Sequence, residues 1–393
     1  MDKVTVSKSL TGSEDGLNAY QFSAVLIKEA PIHVATEIFT RLNVGGKPLN
    51  VFEIMVAKTF DSKVNFDLAE KYDELISELQ AVNYETVPES VVLQTISILL
   101  VKECRKKDIL RLDKKKVIDI WPEASNAIKS AVDYFRNYYR IPVSYLLPYP
   151  NMIVPFAYYF YMKKDKPTGD RQKYLEDFFW RVSLGGRYSQ SVESRLAQDI
   201  QKVDKIIKDA LPKYEWAVDT SADFIKNNGW FSLGRSFIKG LICILAHREP
   251  KSFVDNSIIR ISNDWLKQAN SKNYHHFFPR AYLKKKGSEE FYVNHIANIT
   301  IVDDFLNKRE IRAQAPSKYM KIFKKKNPNL SRCMKSHLID IDSFGIFEDN
   351  YDVFFLERCK AFSRALKKRI IPQDVDSKET AATADNTGQV EVE

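Results

Sequence analysis

The chain has 393 residues, of which 44% are hydrophobic, 12% aromatic and 28% charged. That is too long for one small module and too apolar for a disordered, collagen-like or linker-dominated chain, so two or three domains of ~100–200 residues are expected. With 60 Lys and Arg against 51 Asp and Glu the net charge is +9, which permits a polyanionic partner and makes the location of the excess the question to settle. In chain order, Tyr20 to Ile27 is rich in β-branched and aromatic residues and reads as a strand. Val34, Ile38, Phe39 and Leu42 mark one side of a helix that stops at Asn43-Val44-Gly45-Gly46. A second helix opens at Lys47-Pro48-Leu49-Asn50 and carries Phe52, Ile54, Met55 and Ala57.

From about residue 65 to 265 the periodicity is helical. Ile128, Val132, Phe135 and Tyr139 recur at three- and four-residue spacing, as do Leu196, Ile200, Val203 and Ile207, and Leu233, Phe237, Leu241 and Ile244. Such stripes are core faces. Met152 to Met162 is apolar nearly all round and predicts a central buried helix. Breaks are predicted at Trp121-Pro122, Pro142 to Pro150, Lys166-Pro167-Thr168-Gly169, Gly185-Gly186 and Asn227-Asn228-Gly229.

Beyond about 266 polar and basic residues dominate and histidines cluster, so a boundary is placed near Asp264-Trp265. Residues 373–393 carry six acids and one lysine and read as a disordered acidic tail.

The four cysteines, Cys104, Cys243, Cys333 and Cys359, form no Cys-x-x-Cys pair and fit a reducing, cytoplasmic setting. The N-terminus lacks the apolar stretch of a signal peptide. Val91 to Val101 is far shorter than the ~20 residues a membrane span needs, so no membrane association is expected.

The chemistry-bearing segment is Asn273-Tyr274-His275-His276-Phe277-Phe278-Pro279. Adjacent histidines in a strand point to opposite faces and would do different work, although at a strand end both can face one site. A basic loop, Lys284-Lys285-Lys286-Gly287, leads to Asn294-His295-Ile296-Ala297-Asn298 and a short strand, Ile299 to Val302. Asp303 is then a credible N-cap for a helix containing Asn307, Lys308, Arg309 and Arg312.

This order of strand, loop, strand and helix resembles the HNH, or ββα-metal, nuclease motif. The resemblance places the motif's middle asparagine at Asn298 and its last polar ligand at Asn307, nine residues on. It implies a phosphodiesterase in which His276 takes a proton from water, since a neutral imidazole is a base near neutral pH. Asn298 would pin the loop and orient His276. One divalent ion, Mg²⁺ or Mn²⁺, would be bound by His275 and Asn307. His275 stands where an acidic residue is common, which makes Mg²⁺ less secure and leaves Mn²⁺ or a softer ion open. Lys284, Lys285, Lys286, Lys308, Arg309 and Arg312 are the candidate contacts to a nucleic-acid backbone. His295 is a candidate spare ligand that reads better as a loop residue. Cys333 and His337 have helical spacing for a zinc pair, but there is no second pair.

The segment Glu37 to Asn50, with its Phe39-Thr40-Arg41-Leu42-Asn43-Val44-Gly45-Gly46 core, resembles the end of the ParB/sulfiredoxin-like domain of GmrSD-type restriction and phage-defence proteins. Arg187-Tyr188-Ser189 fits the helical region of that family. The likeness covers about 20 to 325. The family's upstream Asp-Gly-Gln-Gln-Arg motif has no counterpart, so the front domain reads as truncated and no nucleotide hydrolysis is expected. The implied fold is mainly α, with a small α/β remnant over 1–60, a helical domain over 61–265 and a ββα-metal nuclease domain over 266–372. The implied function is DNA cleavage in defence, with RNA as a less favoured substrate. The alternative is a catalytically silent DNA-binding or assembly subunit, whose protein partner supplies the missing nucleotide-handling domain. Residues 267–335 hold 16 Lys and Arg against 5 acids, a net of +11, so the basicity is concentrated around the histidines.

Overall fold

The computed structural model describes residues 49–261, 263, 274–302, 311 and 313–377. The predicted strand at 20–27 and helix at 34–42, and the boundary at Asp264-Trp265, lie outside these residues. The described chain is mainly helical. Helix α1 (Val51–Thr59) starts at Asn50, whose side chain accepts from the Glu53 N–H at 2.9 Å while Glu53 accepts from the Asn50 N–H at 2.6 Å. This reciprocal cap satisfies two donors that a helix start leaves unpaired. There follow α2 (Leu68–Gln80), α3 (Glu89–Val101), α4 (Lys106–Leu110), α5 (Lys114–Asn137), α6 (Ile153–Met162), α7 (Gly169–Leu184), α8 (Val192–Ile207), α9 (Ala222–Asn228) and α10 (Ser236–His247).

Helix α6 is the centre of this assembly. Its residues 153–160 are all buried, and it packs against α3, α5 and α8. The apolar run predicted this, because a helix without a polar face has no side to give to water. Ile128, Val132, Phe135 and Tyr139 are buried as the stripe requires. The predicted break at Trp121-Pro122 does not occur, since α5 runs unbroken through Pro122. The proline lies on the exposed side while Trp121 beside it is buried.

The C-terminal part contributes β1 (Tyr274–His276), α11 (Arg280–Lys285), α12 (Glu290–Val293), β2 (Ile299–Ile301), α13 (Pro316–Lys326), α14 (Leu330–Ser336), α15 (Tyr351–Lys367) and α16 (Asp374–Ser377). Strands β1 and β2 pair antiparallel, with Tyr274 opposite Ile301, His275 opposite Thr300 and His276 opposite Ile299. The helix expected from Asp303 through Arg312 lies, but for Ile311, outside the described residues.

Two apolar cores result. The first joins the helical region to Tyr274, Ile299 and Ile301 and to the Phe355, Cys359, Phe362 and Leu366 face of α15. The second gathers Phe253, Phe277, Phe278, Tyr319, Met334 and Phe354. Helix α15 and the hairpin therefore lie between the cores, and Phe253 joins the second core from ahead of the expected boundary.

The chain also stays packed past 373, where composition places the start of a disordered tail. Asp376 pairs with the buried Arg181 at 2.6 Å and accepts from the Val218 N–H at 3.1 Å. Arg181 also pairs with Asp177 at 3.1 Å, so the C-terminal turn supplies the second carboxylate that a buried guanidinium needs. Residues 378–393 lie outside the described residues.

Candidate active site

Strand alternation sends the two histidines to different surroundings. His275 is 2% exposed, and its ring lies edge-on to Tyr319 of the second core, with centroids 6.3 Å apart. His276 lies on the Tyr274 side of the strand, and its Nε2 is 3.1 Å from Asn294 Oδ1. The Asn294 amide nitrogen donates to the Phe231 carbonyl at 3.3 Å, which leaves its oxygen facing the imidazole. An amide oxygen only accepts, so Nε2 carries the proton and Nδ1 is the basic nitrogen of His276. Burial pushes the His276 pKa down to about 4, with the Asn294 hydrogen bond opposing the shift. At neutral pH the ring is therefore uncharged, as a general base must be, but it is a weak base.

Asn294 is the partner that the sequence did not single out. It is held by chain from the helical region, since the Phe231 N–H donates to the Asn294 carbonyl at 2.9 Å and the Ile296 N–H to the Gly229 carbonyl at 2.8 Å. The loop between α9 and α10 thus orients the residue that orients His276.

Asn298 is fully buried and fully engaged. Its Oδ1 accepts from the Phe278 N–H at 2.8 Å, and its Nδ2 donates to the carbonyls of Phe278 at 3.0 Å and Val293 at 3.1 Å. Its carbonyl accepts from the Phe277 N–H at 2.8 Å. It fixes the bend immediately after His276, with its side-chain amide engaged at both ends. From α15, the buried Arg358 donates to the Ala297 carbonyl at 3.3 Å and the Ile299 carbonyl at 3.0 Å. No carboxylate pairs with it among the described residues, and burial pushes its pKa down to about 9. Sequence spacing gave no sign of this clamp, because it lies 61 and 59 residues from the two carbonyls it holds.

His295 is not a spare ligand. Its Nδ1 accepts from the Ala297 N–H at 3.0 Å, which puts the proton on Nε2, 3.1 Å from the Ile225 carbonyl. His337 and Cys333 both contact the Lys251 carbonyl, at 2.8 and 3.3 Å, rather than opening onto a common metal position. Lys284, Lys285 and Lys286 are exposed on and just after α11, but Lys284 is paired with Glu290 at 2.9 Å. Asn307, Lys308, Arg309 and Arg312 lie outside the described residues.

Among the described residues no three His, Cys, Asp or Glu side chains converge on a metal position. His275 is the single expected ligand described, and it faces away from His276. The described residues alone do not fit the ion. No helix among the described residues is long and apolar enough to cross a membrane.

No protein-family model matches the chain. It is similar to a curated protein of Methanocaldococcus jannaschii named "Uncharacterized protein MJ0686", at 24% identity over 351 residues covering 80% of this chain and 56% of the relative. The chain therefore spans about half the length of the curated relative it matches.

Proposed function

We propose that the chain is an HNH-type endonuclease that hydrolyses phosphodiester bonds in DNA, in a restriction or phage-defence setting. The observation that supports this reading is the His276 arrangement. A neutral imidazole ends a strand paired with β2, its proton is fixed on Nε2 by Asn294, and Nδ1 is left to accept a proton from water. Asn298 holds the adjoining bend. A divalent ion would have to draw its ligands, Asn307 first, from outside the described residues, since His275 faces the second core. There it would supply Lewis-acid stabilisation of charge on the phosphate.

The test is plasmid cleavage in Mg²⁺ or Mn²⁺ by wild type and His276→Ala. A drop of at least 100-fold in rate is expected for the variant, in line with removal of a general base, ~10²–10⁴-fold. Equal cutting by the two proteins would remove His276 from the mechanism.

The low basicity of His276 favours one second reading: a DNA-binding or assembly subunit, silent without a protein partner. That reading requires tight, salt-sensitive DNA binding without cutting by the isolated chain.

A further inference from the structure

Two adjoining clefts, of about 380 and 400 Å³, open where the end of α10 meets α14 and α15, and they share Arg248 and Lys335. Lys251 and Arg332 line one, and Arg364 and Lys368 line the other. None of these six cations has an ion-pair partner among the described residues. Of the three acids lining the clefts, two are paired elsewhere and Asp340 keeps its charge. Glu357 pairs with Lys360 at 2.7 Å and Glu249 with Arg140 at 2.6 Å, and neither cation lines the clefts. Asp340 accepts from the Asp342 N–H at 3.1 Å. Arg248 is held in place by donating twice to the Lys335 carbonyl, at 3.0 and 2.7 Å. Burial and the neighbouring Arg369 hold its guanidinium below the usual arginine range, as expected of cations crowded without a counter-ion.

We infer that this groove binds the phosphate backbone of duplex DNA, as a second binding surface apart from the His276 loop. The inference rests on the reading of DNA as substrate and adds where the duplex is held. Six cations from separate elements exceed what one phosphate needs and suit a row of them. The aromatic side chain lining the clefts, Phe344, is 4% exposed, so there is no platform for stacking unpaired bases. Binding of this kind positions a duplex without reading its sequence.

The experiment is fluorescence anisotropy of a labelled 25-base-pair duplex in EDTA, where no metal-dependent cutting occurs. Wild type is compared with R332E/R364E/K368E and with a control, K164E/K166E/K213E, whose lysines are exposed and lie outside the groove. The groove variant is expected to bind at least 10-fold more weakly at about 100 mM salt. Its slope of log K against log salt should be shallower by about 2–3, at ~0.9 for each phosphate no longer neutralised. The control should change affinity by less than threefold. A milder R364Q/K368Q variant, expected to show about two-thirds of the slope change at ~0.9 per phosphate, covers misfolding of the triple variant. The proposal is overturned if wild type does not bind the duplex, if it prefers single-stranded RNA, or if groove and control variants weaken equally. A folded groove variant that binds like wild type overturns it too. Because binding is read without cleavage, retained binding by His276→Ala with abolished cutting separates this result from failure of the nuclease reading.

Discussion

At the scale of single residues, the site depends on a glycine that the sequence presents only as a helix stop. Gly229 ends α9 with φ −86°, so its backbone conformation is open to any residue. What excludes a side chain is space: a Cβ there would lie 2.0 Å from His295 Nε2 and 2.7 Å from the Ile225 carbonyl oxygen. Gly229→Ala must push the imidazole off both of its hydrogen bonds inside a closed core. A destabilisation of about 3 kcal/mol is expected from overpacking and the buried groups left unpaired. The penalty should shrink by more than half when Gly229→Ala is made in a His295→Ala background, as urea unfolding of the two singles and the double would show. Strict additivity would mean that the clash is relieved elsewhere. The sequence singled out His275, His276 and Asn298 because the resemblance that carries them is local. It left Asn294 unassigned and offered His295 as a spare ligand, because what decides the roles of these two neighbours is chain from Ile225 to Phe231.

At the scale of elements, periodicity located the buried faces of α5, α6, α8 and α10, since one apolar stripe per helix is what a layered helical core demands. It failed at Pro122. A proline inside a helix removes the donor to the carbonyl four residues back, here Ile118, and costs about 3 kcal/mol, which argues for a break. The helix persists because Val117, Trp121, Ala124 and Ile128 are buried along its inner face, while Pro122 faces solvent, where water can satisfy the freed carbonyl. Packing of the stripe outweighs the local penalty. Pro122→Ala should therefore stabilise the protein by about 2 kcal/mol, the recovered helix propensity less the entropy returned to the unfolded chain. In urea the midpoint should rise with an unchanged slope. A lower midpoint would mean that proline at this position is itself required for packing.

At the scale of the whole molecule, the features hardest to read from sequence are those assembled from distant segments. The basic groove draws on residues 248–251, 332–335 and 364–368, and of these segments 332–335 alone falls in the stretch 267–335 where the sequence concentrates its excess charge. Among the described residues, the same long-range assembly pushes three histidines far below the ordinary imidazole range and lowers His247 as well. Burial pushes His276 and His295 down to about 4 and His337 to about 3, from an ordinary 6.5. Above pH 6.5 neither the folded nor the unfolded chain protonates these rings, so they carry no penalty. As pH falls from 6.5 toward 4, the unfolded chain takes up three protons that the folded chain refuses, and stability declines by about 1.4 kcal/mol per pH unit for each. Asp177 acts in the opposite sense: burial raises it to about 6 despite its pairing with Arg181, so the folded chain binds that proton first. Asp199, also raised by burial, opposes the histidines in the same way. The histidines outnumber these acids, so unfolding free energy should fall by at least about 1 kcal/mol per pH unit between pH 6 and 5. Urea unfolding across that range should show the decline, and His337→Gln should flatten it by about one proton. A flat profile for wild type would require that these rings are protonated in the folded chain, which would also remove His276 as a neutral base.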